Sequence, residues 1–81
     1  MKIFYGLDDE KIDVTYICLA KLRKNHIITI PSGDWNRSYF FTDPLPYVLK
    51  KIYILDRGNL TEYDECCAIE IDIIHDTITR M

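Results

Sequence analysis

The stretch "LKKIYIL" (49–55) gives the strongest indication of the fold class, because its pattern is typical of a β-strand that is covered on both faces. In an extended chain Ile52 and Ile54 point to one side, and Tyr53 and Leu55 point to the other. A strand that is apolar on both faces is typical of the interior of a layered β structure. The sequence therefore predicts a mainly β protein built around this segment.

The residues after this strand predict a β-hairpin. "DRGN" (56–59) supplies the turn, because Gly58 and Asn59 tolerate positive φ. "LTEY" (60–63) then pairs back on the preceding strand.

A second strand signal lies near the C-terminus. "CAIEIDII" (67–74) alternates, with Ile69, Ile71 and Ile73 predicted to face inward and acidic residues between them facing outward. The remaining residues, 75–81, either complete the sheet within the chain or pair with a second copy, because unpaired edge strands invite another chain.

The N-terminal half adds further strands and one short helix. Extended pieces are predicted at "KIFYG" (2–6), "IDVT" (12–15), "HIITI" (26–30) and "RSYFF" (37–41). "YICLAKLRKN" (16–25) predicts a short helix or helical turn, with Thr15 as its N-cap. The expected fold is one β-rich domain over residues 1–81, a small antiparallel β-sandwich or partly open barrel of five to six short strands.

The segment before the central strand contains "DPLP" (43–46), which predicts a stiff loop. Asp43 suits the first position of a turn, where its carboxylate accepts hydrogen bonds from backbone N–H groups. Pro44 fixes φ, and Pro46 pushes the residue before it towards extended geometry. We interpret this loop as a brace that aims the following strand, and the segment needs no substrate to explain it.

Composition and charge exclude several classes of protein. Ten Lys and Arg against thirteen Asp and Glu give a formal net charge of −3, which argues against a nucleic-acid binder that relies on clustered basic residues. No apolar run approaches the ~20 residues of a membrane helix, and no signal peptide is predicted. The odd number of cysteines, three, favours a reduced, intracellular location.

The residues with metal-binding or catalytic chemistry form no known motif. Potential zinc ligands are Cys18, Cys66, Cys67, His26 and His75, but no C-x2-C or H-x3-H spacing is present, so neither metal nor cofactor is predicted. Adjacent cysteines on a strand would point to opposite faces, which argues against a vicinal disulfide. No nucleophile with a local base and no phosphate-binding loop occur, so no catalytic residues are predicted.

The most attractive ligand site in the sequence is "SGDWNRSYF" (32–40). An aromatic face beside planar polar side chains suits a sugar ring, and the candidate glycan-binding residues are Asp34, Trp35, Asn36 and Tyr39. The alternative is that Trp35 folds back to cover a thin core. The leading prediction is a non-catalytic protein-interaction or structural module that forms homo-oligomers, with carbohydrate binding as the alternative function.

The order of several short motifs resembles a family of small β-rich domains from giant viruses of amoebae and some bacteria. The matching residues are Tyr5-Gly6, Asp13-Val14-Thr15, Asp43-Pro44, Pro46, Lys50 and Ile52-x-Ile54. The order is also similar to the C-terminal domain of a mitochondrial membrane-organising DnaJ-like protein.

The resemblance implies a β-rich module, often appended to larger chains, including glycosyltransferase-like ones, with no established chemistry. A viral member would reside in the host cytoplasm or the virion. Asp43, Pro44, Pro46 and Lys50 would then belong to a structural loop. Thr42 and Tyr47 depart from the family pattern, which has glycine at both positions, so a loop that needs positive φ there would be built differently in this chain.

Overall fold

The computed structural model describes residues 1–81 and shows a mainly β chain with two antiparallel four-stranded sheets and two short helices. In the first sheet the order is β2 (Glu10–Asp13), β1 (Lys2–Leu7), β5 (Lys51–Asp56) and β6 (Asn59–Tyr63). In the second it is β3 (Arg23–Lys24), β4 (Ile27–Ile30), β7 (Ile69–Asp72) and β8 (Thr77–Arg80). Helix α1 (Thr15–Ile17) continues into a π-helical turn (Cys18–Leu22), and α2 spans Asp34–Phe41. Neither helix has the length and apolar character needed to cross a bilayer.

Both sheets contribute to one hydrophobic core, which gives the chain a sandwich-like arrangement. Its fully buried side chains are Ile3, Tyr5, Val14, Cys18, Ile28, Ile30, Phe41, Ile52, Ile54, Ile69 and Ile71. The prediction that residues 49–55 form a strand covered on both faces is confirmed for its centre. Ile52 and Ile54 lie in this core, whereas Tyr53 is buried on the other face, where its hydroxyl accepts a hydrogen bond from the Asp8 N–H at 2.9 Å.

The strand count is eight rather than five to six, because several pairing partners are very short. Strand β3 has two residues, and β2 and β8 have four each. The C-terminal residues complete the second sheet within the chain: β8 pairs antiparallel with β7, and Ile78 packs against the core.

Two predicted details of the β-hairpins are wrong. The turn between β5 and β6 places Arg57 (φ 53°) and Gly58 (φ 81°) in the left-handed region, while Asn59 already belongs to β6. A two-residue hairpin turn of this kind needs positive φ at both central residues, and its position is set by the register of the strands. Ile73 does not face inward but is 38% exposed, because β7 ends at Asp72 and the chain turns there.

The first strand continues through Gly6 to Leu7 instead of ending at the glycine. A Cβ atom at Gly6 would lie 2.2 Å from the carbonyl oxygen of Glu10, on the paired strand β2. Glycine is therefore required here by the close approach of two backbones and does not mark the end of the strand.

Residues 37–41 are helical, not extended. Helix α2 begins after Gly33, which has φ 87° and donates its N–H to the Glu65 carbonyl at 2.8 Å. Asp34 in the first turn suits the positive end of the helix dipole. The strand preference of the aromatic residues is overridden because helical spacing places Arg37 and Phe41 together on the buried face.

Thr15 does not cap α1 as predicted. Its hydroxyl oxygen instead accepts a hydrogen bond from the Ile3 N–H at 2.8 Å, which ties the start of the helix to β1. Asp13 accepts a hydrogen bond from the Thr15 N–H at 2.9 Å.

Candidate functional site

A buried ammonium group organises the region between α2 and residues 42–49, which we call the proline loop. The side chain of Lys50 is 1% exposed, and its Nζ lies 2.8 Å from Asp34 Oδ2 and 2.9 Å from Asp43 Oδ1. It also donates to the carbonyl oxygens of Leu45 at 3.0 Å and Val48 at 2.6 Å. Burial disfavours the charged amine, but the hydrogen bonds to the two carboxylates outweigh this effect and raise the pKa of Lys50.

The same carboxylate of Asp34 binds a buried tyrosine. The Tyr5 hydroxyl donates to Asp34 Oδ1 at 2.5 Å, and Ser38 Oγ lies 2.7 Å from the same hydroxyl. Burial, together with the hydrogen bond to Asp34, raises the pKa of Tyr5 well above its ordinary value. These groups satisfy one another, so the network holds α2 against β1 and the start of β5.

The proline loop is held by the same ammonium group and contains two residues in unfavourable backbone conformations. Asp43 Oδ1 accepts a hydrogen bond from the Leu45 N–H at 3.1 Å and forms an ion pair with Lys50 Nζ at 2.9 Å. Thr42 has φ 68° and Tyr47 has φ 67°. Both residues therefore take positive φ although neither is glycine, a conformation that is unfavourable for residues with a side chain.

Beside this loop, α2 presents an open aromatic cleft of about 300 Å³ lined by Trp35, Ser38, Tyr39 and Asp43. Trp35 and Tyr39 are one helical turn apart and are 86% and 83% exposed. The alternative in which Trp35 covers the core is excluded by this exposure. We name these four residues the aromatic cleft.

The structure brings together only some of the residues predicted as a ligand site. Trp35 and Tyr39 share the aromatic cleft, which Asp43 closes on the loop side. Asp34 does not line the cleft, because its carboxylate is bound by the Lys50 ammonium group and the Tyr5 hydroxyl. Asn36 does not line the cleft, and its side-chain amide donates to the Ser32 carbonyl at 3.0 Å.

Arg37, whose role was not predicted from the sequence, is fully buried. Its guanidinium donates to the carbonyl oxygens of Pro31 at 2.8 Å, Asp64 at 2.8 Å and Cys67 at 2.9 Å. Burial lowers the pKa of Arg37. The only signal in the sequence was the i, i+4 spacing of Arg37 and Phe41, which is meaningful only if the segment is a helix.

The cysteines are arranged differently from the prediction. Cys66 and Cys67 lie in the turn before β7, not on a strand, and their Sγ atoms approach to 3.1 Å. A hydrogen bond with Asp64 and one with Cys67 raise the pKa of the Cys66 thiol to about 11. Cys18 is buried in the core, so the three cysteines do not converge.

The residues that could hold a metal ion are His26, Asp72 and His75, whose ligand atoms all lie within 4.8 Å of one another. Of the zinc ligands considered from the sequence, the two histidines meet at Asp72, whereas Cys66 and Cys67 meet only each other. The group lies at the opposite end of β7 from the cysteine pair and apart from the aromatic cleft.

Comparison with known proteins identifies no relative: no protein family, no curated protein and no solved structure matches the chain.

Proposed function

We propose that the chain is a non-catalytic interaction module whose aromatic cleft contacts a second copy of the same chain. The proposal rests on one observation: Trp35 and Tyr39 are exposed side by side on helix α2, whose opposite face is buried in the domain. Tryptophan and tyrosine are the residues most enriched at energetic hot spots of protein interfaces. A rigid pair of them loses little entropy when it is buried.

The anchoring supports binding by a preformed surface. Arg37 and Phe41 fix the inner face of α2, and Lys50 fixes the loop that bears Asp43. Preorganised side chains give up less conformational freedom on association than mobile ones.

Electrostatics also permits two copies to meet at the cleft. Asp43 is the one acidic residue that lines it, and its carboxylate is paired with the Lys50 ammonium group at 2.9 Å. Burying an unpaired carboxylate would be costly, whereas the attraction of the Lys50 ammonium group offsets part of the desolvation cost of Asp43. A twofold contact would place the same surface of each copy against the other.

Sedimentation velocity over low to high micromolar concentrations tests the proposal. The wild-type chain is expected to shift from monomer to dimer. Both copies of a twofold dimer carry the substitution, so Trp35→Ala should weaken the dimer by about 1000-fold, which corresponds to a ~2 kcal/mol hot spot lost from each copy. Because Trp35 is the only tryptophan, its fluorescence should shift to shorter wavelength on dimer formation.

Tyr16→Ala is the matched control, because Tyr16 is an equally exposed aromatic residue (81%) located on α1. It should dimerise like the wild type. A monomer at all concentrations, or equal weakening by both substitutions, would contradict dimerisation through the aromatic cleft.

Carbohydrate binding is the second candidate function, and the polar lining of the same cleft favours it. Ser38 and Asp43 supply oxygen atoms beside the Trp35 and Tyr39 rings, a combination that can stack on a sugar ring and accept hydrogen bonds from its hydroxyls.

A glycan array read together with tryptophan fluorescence distinguishes the two functions. A sugar that changes the fluorescence of the monomer at low protein concentration supports carbohydrate binding. Fluorescence that depends on protein concentration alone supports dimerisation.

A further inference from the structure

The only two histidines of the chain converge on one carboxylate, although they are far apart in the sequence. His26 precedes β4 and His75 lies in the turn after β7. The backbones of these segments are joined, since the Ile73 N–H donates to the His26 carbonyl oxygen at 2.9 Å. The antiparallel pairing of β4 with β7 therefore determines their proximity.

The carboxylate of Asp72 uses its two oxygen atoms differently. Oδ1 accepts the N–H groups of Ile74 at 3.0 Å and His75 at 2.9 Å, which fixes the carboxylate against the turn. Oδ2 faces the two rings, 2.8 Å from His75 Nδ1 and 3.8 Å from His26 Nε2. One oxygen thus orients the group and leaves the other directed at both imidazoles.

The geometry points to a mononuclear zinc site formed by His26 Nε2, His75 Nδ1 and Asp72 Oδ2. Ligand bonds of about 2.0–2.1 Å in a tetrahedral site separate the ligand atoms by roughly 3.3 Å. The three atoms already lie within 4.8 Å of one another, so rotations of the side chains close the remaining distance. Both histidine side chains are partly exposed, 41% for His26 and 69% for His75, so solvent leaves room for their rings to turn.

The ligand set selects for a borderline transition metal rather than a hard cation. Imidazole nitrogen suits Zn²⁺, Ni²⁺ and Co²⁺, whereas Mg²⁺ and Ca²⁺ prefer oxygen ligands throughout. Three protein ligands leave the fourth tetrahedral position to solvent, as in zinc sites that keep a bound water molecule. This site is independent of the aromatic cleft and of the proposed dimer.

Isothermal titration of the tag-free chain with ZnCl₂ tests the inference, with MgCl₂ as a comparison titration. One Zn²⁺ per chain and no measurable heat with Mg²⁺ are expected. Co²⁺ should give the intense visible absorption of tetrahedral cobalt, which reports coordination directly. Zn²⁺ should also raise the Tm, since a ligand bound only by the folded state stabilises it.

Substitution of the ligands assigns the site. His26→Ala and His75→Ala should each lower the Zn²⁺ affinity by at least about tenfold, the smaller end of the loss seen even for outer partners of metal ligands. Both changes remove exposed side chains, so the metal-free Tm should stay close to that of the wild type. Asp9→Asn, which removes an exposed carboxylate elsewhere, should leave the affinity unchanged.

The cysteine pair requires its own control, because adjacent thiols also bind zinc. Cys66→Ser/Cys67→Ser should keep the Zn²⁺ stoichiometry and the tetrahedral cobalt spectrum. Loss of binding in this variant, or binding that survives His26→Ala/His75→Ala, would place the metal at the thiols and overturn the inference. An absence of Zn²⁺ binding by the wild-type chain would overturn it as well.

Discussion

The two buried cations of the chain are held in opposite ways. Arg37 donates only to backbone carbonyl oxygens, and Lys50 is paired with two carboxylates as well as two carbonyls. Arg37 joins α2 to the segments before it and before β7, and Lys50 joins α2 to the proline loop. Arg37 therefore holds chain segments to one another, whereas Lys50 holds in place the loop that borders the aromatic cleft.

The backbone in the two regions also differs. The segments bound by Arg37 at residues 64–67 contain no residue with positive φ, whereas the loop bound by Lys50 contains Thr42 and Tyr47 in that conformation. Strain of this kind persists only when the surrounding structure stabilises it. In this loop the contacts of Lys50 with Asp43 and with the Leu45 and Val48 carbonyl oxygens stabilise the strained conformation.

Removal of Arg37 should have the largest effect. Arg37→Ala removes the donor from three partly buried hydrogen bonds to carbonyl oxygens and empties the buried volume of the side chain. Each carbonyl left without a donor costs up to about 1–3 kcal/mol of the free energy of unfolding. In a domain whose total is on the order of 5 kcal/mol, the variant is expected to be unfolded by circular dichroism. Arg37→Lys should not rescue it, because one ammonium cannot reproduce the fork of donors.

The exposed Arg57, paired with Asp76 on the surface, is the matched control for Arg37. Arg57→Ala should unfold at nearly the wild-type urea concentration, since surface ion pairs contribute little. A folded Arg37→Ala variant with a normal urea midpoint would break the distinction between the two cations.

Loss of Lys50 should be the next largest effect. Lys50→Met should lower the free energy of unfolding by about 2–4 kcal/mol, somewhat less than a fully buried broken pair, because Asp43 can turn to solvent. If the variant folds, the aromatic cleft should lose its fixed loop, and Trp35-dependent association should weaken.

The neighbouring residue Lys51 provides a stringent control, because it pairs with Glu62 on the surface. Lys51→Met should leave both the urea midpoint and the association unchanged. Equal destabilisation by both methionine variants would show that the buried ion pairs of Lys50 contribute no more to the free energy of unfolding than the surface pair of Lys51.

Alkaline pH should reduce the contribution of Lys50 to the free energy of unfolding before that of Arg37, without any mutation. The pKa values of Lys50 and Tyr5 are raised in the folded state, so the stability they contribute is complete below their unfolded values of about 10.4 and 10 and is lost as pH rises above them. Arg37 stays charged throughout this range.

Urea midpoints measured from pH 8 to pH 11 test this linkage. The midpoint should begin to fall near pH 9, because burial raises the pKa of the Cys18 thiol to about 12, whereas this thiol already loses its proton near pH 9 in the unfolded chain. Above about pH 10 Lys50 and Tyr5 add to the decline. Tyr5→Phe should show a shallower decline in that range, because it removes one of these two groups. A midpoint independent of pH to 11 would contradict the linkage.

Glycine substitution in the strained loop should have the smallest effect and the opposite sign. Thr42 combines φ 68° with ψ 179°, a region that is essentially restricted to glycine and costs other residues of order 1–3 kcal/mol. Allowing for the entropy of glycine, Thr42→Gly should raise the free energy of unfolding by about 1 kcal/mol. Thr61→Gly, in strand β6 without positive φ, should be destabilising, and a destabilised Thr42→Gly variant would argue that the loop is not strained.

Local pattern was sufficient for the elements with strong periodicity. The central strand, the hairpin that follows it and the inward Ile69 and Ile71 were all predicted, because alternation of apolar residues with period two needs no knowledge of the rest of the fold. Helix α2 was missed because the strand preference of Tyr39, Phe40 and Phe41 outweighs its short helical pattern until the sheets provide a surface to pack on.

The β class, the acidic balance and the turn chemistry of the proline loop follow from residue type and near neighbours, so local sequence is enough to predict them. The partners of the charged side chains depend instead on the three-dimensional arrangement of the chain. Arg37, Lys50 and the two histidines find their partners across many residues of chain, so strand pairing and helix placement set those contacts. A buried charge must be satisfied wherever the fold puts it, and no local pattern contains that location.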